Sequence, residues 1–193
     1  MQAITVEDKV FDKQDFTASA LAKADYENCF FKQCDFSGSN LSGITFSDTE
    51  FTACNFSLAT LVKTAFRDVK FIDCKMLGLH FYNCNTFGLS FSFYNCTLLH
   101  ASFYKLKIKK TMFKNSQLQE VDFAECDLTE AHFDNCDLKK AIFDHSNLEK
   151  ADFTTAYNYT IDPETNRIKK AKFSLAGIAG LLDKYGIQIE HIK

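Results

Sequence analysis

Large apolar side chains recur along this chain at every fifth position. From Phe11 the step passes through Phe16, Leu21, Tyr26, Phe31 and Phe36 and runs on to Phe91, interrupted only at Thr86. The register then slips by two residues, resumes at Phe93 and continues through Leu98, Phe103, Ile108 and Phe113 to Phe153. Of the 30 positions so defined, 29 are large and apolar and Phe fills 18. The residue two places earlier is small (Ala, Cys, Ser, Thr or Val) in 23 of the 30. The other three of every five are mostly polar. Neither the 3.6-residue period of a helix nor the two-residue alternation of a strand sustains such a pattern over about 140 residues.

A five-residue period has a simple solution. Each pentad forms one side of a square, the chain turns a corner between pentads, and four pentads close a coil of 20 residues. Coils stack through backbone hydrogen bonds at roughly 4.8 Å. The large residue fills the lumen, the small one sits inward near a corner, and the other three face water. Residues 11 to 173 then predict a rod of about eight coils, roughly 40 Å long.

The repeat defines a first domain over residues 1–173. It breaks at the slip over residues 86–92, read as a kink near Gly88, and at a loop over residues 154–167 that holds the only proline, Pro163. Ile168 and Phe173 still lie 20 residues beyond Leu148 and Phe153, so the last coil closes with one corner expanded. Residues 174–193 change pattern. Ser174 is a helix cap candidate; Leu175, Ile178, Leu181, Leu182 and Tyr185 follow at helical spacing, Gly186 stops the helix, and Ile187 and Ile189 alternate as a short strand. This segment reads as a cap over the open end of the coil stack and a candidate dimerisation element.

The pattern, in segments such as CDFSG, SNLSG, CDLTE and ADFTT, resembles the pentapeptide-repeat family over nearly the whole chain, with distant similarity to its quinolone-resistance (Qnr-like) members. That resemblance implies an all-β solenoid, a right-handed quadrilateral β-helix, here with a short C-terminal capping helix and strand. It also implies a homodimer formed through the C-terminus, an isologous contact.

Composition narrows the chemistry. The eight cysteines, Cys29, Cys34, Cys54, Cys74, Cys84, Cys96, Cys126 and Cys136, all occupy the small inward slot, alternating there with Ala, Ser or Thr. They read as small buried hydrophobes with no disulfide or metal role. The five histidines (His80, His100, His132, His145 and His191) share no spacing and read as surface groups. No phosphate loop, nucleophile elbow or metalloprotease motif occurs, and a filled lumen leaves no apolar pocket, so neither catalysis nor a cofactor is expected. The formal charge of −3 disfavours direct nucleic-acid binding. The N-terminal stretch lacks an apolar run of signal-peptide length and no run of about 18 apolar residues occurs, so a cytoplasmic location without a membrane span is expected.

The surface is then the functional element. Glu120, Asp122, Glu125, Asp127, Glu130, Asp134 and Asp137 follow one another with no Lys or Arg before Asp137 and form an acidic belt around one coil; one coil upstream stand Lys105, Lys107, Lys109, Lys110 and Lys114. Stacked belts of opposite sign can neutralise each other, which leaves a non-catalytic scaffold or protein-interaction module with an unknown partner. The Qnr-like resemblance implies instead a DNA mimic whose carboxylates imitate phosphates and which modulates or protects a type II topoisomerase, DNA gyrase or topoisomerase IV.

Overall fold

The computed structural model describes residues 4–190, and it turns the fivefold step into a four-sided coil of stacked parallel strands. The four faces are named here by the successive inward residues Phe11, Phe16, Leu21 and Tyr26. The Tyr26 face begins as a four-stranded sheet of Thr5–Glu7, Asp25–Glu27, Thr45–Ser47 and Ala65–Arg67. The Phe11 face is one nine-stranded sheet, from Val10–Asp12 at one end to Lys172–Phe173 at the other. The Phe16 and Leu21 faces stack through isolated bridges, such as Asp15 to Asp35 to Asn55 and Asn40 to Thr60. Partners are 20 residues apart, Phe11 with Phe31 and Tyr26 with Phe46, as the square-coil geometry requires.

The lumen is packed with rings. On the Phe11 face successive aromatics stack face to face, with centroids 4.5 Å apart for Phe11 and Phe31, 5.1 Å for Phe93 and Phe113 and 4.6 Å for Phe133 and Phe153. Neighbouring faces meet edge to face, as Phe103 does with Phe113 at 5.9 Å and 84°. Both geometries suit the ring quadrupole. Phe31, Phe51, Phe71, Phe93, Phe113 and Phe123 are fully buried. All eight cysteines are free and buried in the corner slot. Except at Cys84, their thiols donate to backbone carbonyls, as Cys126 does to the Phe103 carbonyl at 2.9 Å. Burial pushes the Cys126 and Cys136 thiols up to about 12, so they stay protonated and behave as packing groups.

Corners are where the fold is strained. Most turn on a left-handed residue two places after the inward side chain, Lys13 after Phe11 and Asn28 after Tyr26 among them, and 24 non-glycine residues adopt positive φ. The left-handed region costs about 1–2 kcal/mol per residue except for Gly and, in part, Asn and Asp. The stacked coils hold it because most corner amides are hydrogen-bonded to the next coil, as Lys13 is to the Lys32 carbonyl at 2.8 Å. At one corner the side chains also form a ladder: Asn135 donates to Asn115, Asn115 to Asn95 and Asn95 to Asp73, at 3.0–3.1 Å.

The register slip differs from expectation in one residue. Phe91 keeps the five-residue step from Phe81, but its strand, Phe91–Tyr94, already belongs to the second register, and Phe91 pairs with Val69 and Phe93 with Phe71. Phe91 therefore stands in a small-residue corner slot. It fits because Thr86, whose turn it was to fill the lumen, is exposed. The Phe91 ring fills the gap, 5.5 Å from Phe81, 5.9 Å from Phe103 and 6.5 Å from Phe66, while Phe87 in the intervening loop is 77% exposed.

At the C-terminal end the Tyr159 ring closes the lumen against Phe153 and Phe173. Ser174 accepts a hydrogen bond from the Gly177 amide at 3.0 Å and starts a helical run: a 3-10 turn Ala176–Ile178, the α-helix Ala179–Leu182 and a second 3-10 turn Asp183–Tyr185, ended by left-handed Gly186. Gly177 and Gly180 lie directly over Tyr159, where a Cβ would meet its hydroxyl or its carbonyl. The Ile161 amide binds the Gly180 carbonyl at 3.0 Å, and Lys184 ties the helix to the proline loop through Asp162 and Glu164 at 2.7 and 2.6 Å. The expected C-terminal strand is not formed within residues 187–190. Alternation makes a strand only where an edge is there to pair with, and Ile187 and Ile189 remain 55% and 47% exposed.

Candidate protein-interaction surface

With the lumen filled and the cysteine thiols shut inside it, the Asp, Glu, Lys, Arg and His side chains project from the outside of the rod, and their neighbours one coil away decide what they can do. The acidic belt is in place but largely neutralised. Glu120 lies 3.3 Å from His100 and 3.6 Å from Lys140, Glu125 3.4 Å from Lys105, Asp127 3.1 Å from Lys109, and Glu130 2.9 Å from Lys150 and 3.8 Å from Lys110. Asp122 accepts from the Ser102 hydroxyl and the Ala124 amide, and Asp137 from Gln119, Asn158 and the Lys139 amide. Asp134 alone in the belt has neither an ion pair nor a side-chain hydrogen bond among the described residues. Burial raises the Asp127 carboxyl, but the Thr129 hydroxyl and the Lys109 ammonium outweigh it and hold the group below its ordinary value. Lys150 and Lys110 do the same for Glu130. Lys105, Lys109 and Lys110 of the lysine belt pair with the acidic one, Lys107 and Lys114 do not, and a second lysine set, Lys140 and Lys150, closes on it from the next coil. Of the remaining histidines, His145 lies 2.9 Å from Asp144, and His191 lies outside the described residues.

A second group of carboxylates carries no such pairing. Of the chain's 25 acidic and 22 basic side chains, 11 and 8 lie in residues 1–90, so that half holds the whole net charge of −3. Among the described residues, no carboxylate before Glu120 forms an ion pair. Glu7, Asp8, Glu27, Asp48 and Asp68 are exposed and follow the Tyr26 face and its corner coil by coil. Asp8, Asn28, Asp48 and Asp68 occupy four successive left-handed corners, with φ between 48° and 55°. That preference explains the residue types locally, and it yields an acidic edge. Within sequence alone these residues look scattered, because their common corner appears only when the chain is folded into 20-residue coils.

The apolar residues of the cap are brought together at the rod's end. Leu175, Ile178, Tyr185, Ile187 and Ile189 are exposed, Leu175 to 88%, whereas Leu181 and Leu182 are half-buried and Leu181 packs on the core. Among the described residues no helix is long and apolar enough to cross a membrane.

A stacked, four-sided coil with one aromatic or aliphatic plug per side defines a class of β-solenoid. The family model described as pentapeptide repeat region matches residues 24–92 and 89–156, and the chain belongs to the pentapeptide-repeat family, whose right-handed quadrilateral β-helix is its fold. No curated protein matches the sequence. Among solved structures it is similar to a trypsin-treated form of QnrB1, a plasmid-mediated fluoroquinolone resistance protein, at 18% identity and a TM-score of 0.64, with 98% of this chain and 100% of that one covered. Full-length QnrB1 aligns at 18% identity and a TM-score of 0.56, covering 95% and 100%. HetL, a protein involved in heterocyst differentiation regulation in the cyanobacterium Nostoc, aligns at 13% identity over 90% and 87%, with a TM-score of 0.41.

Proposed function

We propose that this chain is a non-catalytic interaction module, a rigid rod whose rows of outward side chains dock a protein partner. One observation carries the reading: rings fill the lumen from Phe11 to Phe173 and the cysteine thiols are buried with them, so the charged groups and histidines are displayed on the outside of the rod. Such a surface favours recognition over catalysis, which needs concavity. The cap adds a second copy of the chain as a partner, because its exposed Leu175, Ile178, Tyr185 and Ile189 form the apolar end that a twofold contact would cover. Light scattering tests this part: a dimer of the native chain that becomes a monomer in Ile178→Glu agrees, and a native monomer at 100 µM contradicts it.

A topoisomerase modulator that mimics DNA is the second reading. The acidic edge of Glu7, Asp8, Glu27, Asp48 and Asp68 supports it, because Asp8 and Asp68 accept from Asn28 and Ser90 but none of the five meets a cation among the described residues, as does the likeness to a fluoroquinolone resistance protein. The belt from Glu120 to Asp137 does not, because its charge is satisfied within the rod. A gyrase supercoiling assay with and without ciprofloxacin separates the two. Protection or inhibition lost in Glu27→Gln/Asp48→Asn/Asp68→Asn, and retained in Glu120→Gln/Asp127→Asn/Asp137→Asn, selects mimicry. No effect at micromolar protein leaves the interaction module with another partner.

A further inference from the structure

One face of the rod departs from the charge density of the rest. The chain is 24% charged, yet the ten outward mid-face side chains of the Leu21 face from Ala20 to Tyr104 include no Asp, Glu, Lys or Arg; the first charge on that face is Asp122. In the middle of the rod this uncharged strip turns apolar. Val62 and Tyr82 are 44% and 42% exposed on successive coils, and Tyr104 continues the row on the next. Around the adjoining corner Leu58 is 72% exposed and lies against Gly78, and Leu77 and Leu99 stand half-buried beside it. These six side chains span three coils of parallel backbone held by pairings such as His80 with Ser102.

Within its own three coils the patch carries charge of one sign. The three segments that build it, residues 54–63, 74–83 and 96–105, contain Lys63, Lys75 and Lys105 and not one carboxylate. At the Tyr104 end Glu125 of the next coil already accepts from the Tyr104 hydroxyl at 2.9 Å and pairs with Lys105, while Lys63 and Lys75, beside Val62 and Tyr82, have no ion pair among the described residues. Three lysines around an apolar centre are too few to neutralise a run of phosphates, and the acidic edge of the Tyr26 face stands one face away. An apolar, aromatic core with a polar rim is the anatomy of a protein-binding patch.

We propose that the mid-rod Leu21 face docks a segment of a partner protein that presents aromatic or aliphatic side chains flanked by carboxylates. Tyr82 and Val62 receive the apolar groups, and Lys63 and Lys75 the flanking charges. This rests on the interaction-module reading and names the face and the partner chemistry.

The probe is a random copolymer of glutamate and tyrosine, followed by fluorescence anisotropy, with polyglutamate and oligothymidylate as controls. The copolymer should bind the native chain, and Tyr82→Ser/Val62→Ser should weaken it about tenfold or more, as for a hot-spot residue. Lys63→Glu/Lys75→Glu should weaken it further, and Glu27→Gln/Asp48→Asn on the other edge should not. Unchanged thermal unfolding of the exposed-site variants shows that they fold. Equal binding of polyglutamate, tighter binding of oligothymidylate, insensitivity to Tyr82→Ser/Val62→Ser, or no copolymer binding at 100 µM would each overturn the proposal. A photo-crosslinking residue placed at position 82 or 27 in the producing cell separates the two failures. Crosslinks to another protein from 27 and none from 82 sink this face and leave the interaction module standing; crosslinks from neither sink both.

Discussion

The two halves of the rod share one interior and differ in their surface. From Phe11 to Phe71 and from Phe93 to Phe173 the same stacked rings run down the same face. Outside, all eleven ion pairs among the described residues lie at or beyond His100, although the half before Phe91 holds eleven carboxylates of its own. Repeat architecture lets this happen. Stacking specifies inward positions strictly and leaves outward rows free to vary. The C-terminal coils pair their charges with each other, and the N-terminal coils leave theirs without ion pairs among the described residues.

The largest expected effect should erase the contrast. Phe51→Asp in one half and Phe123→Asp in the other each place a carboxylate in the lumen without a partner, and both should abolish folding, read as loss of the β-sheet circular dichroism signal. If only one variant unfolds, the interiors are not equivalent. Cys54→Leu and Cys126→Leu should each overpack a buried corner and cost about 1–3 kcal/mol in urea unfolding, again alike.

The contrast should appear when charges are changed. Asp127→Asn removes the Lys109 ion pair and keeps an Oδ1 acceptor for Thr129, so it should cost at most about 1 kcal/mol, as partly exposed ion pairs do. Asp48→Asn, with no ion pair to lose, should leave stability unchanged or raise it slightly. A clear loss at Asp48 would mean that the N-terminal edge is internally satisfied after all. Acid should act in the same sense. The Asp152 carboxyl is raised by burial but brought down to about 2 by the Thr154 hydroxyl and amide and the Lys172 ammonium, and Asp127 is also lowered. A carboxylate with a depressed folded value stabilises above its unfolded value near 4, and that stabilisation is lost as pH falls toward 2. Amides of the C-terminal coils should therefore lose hydrogen-exchange protection between about pH 4 and pH 2, and Asp152→Asn should blunt the loss.

Much of this was legible in the sequence, for reasons that differ by residue. The lumen could be read directly, because a fivefold apolar step has few other solutions. The slip could be located but Phe91 could not be placed. It satisfies the step from Phe81, and only the outward turn of Thr86 shows that the ring enters from a corner. The acidic belt was visible as a run along the chain, but its pairing was not, since Lys109 and Lys150 meet it from coils about 20 residues away on either side. The edge of Asp8, Asp48 and Asp68 was hidden for the same reason. Ile187 and Ile189 alternate as a strand would, yet a strand needs an edge to pair with.

The most direct test of the contrast is residue-resolved native hydrogen exchange at 0.05 M and 1 M NaCl, where the Debye length falls to about 3 Å. Repeat proteins open regionally, so the halves can be read separately. The account predicts that high salt lowers protection in the coils from Ser102 to Lys172 and leaves residues 25–73 unchanged or better protected. Equal loss in both halves, or loss confined to the N-terminal coils, would contradict it.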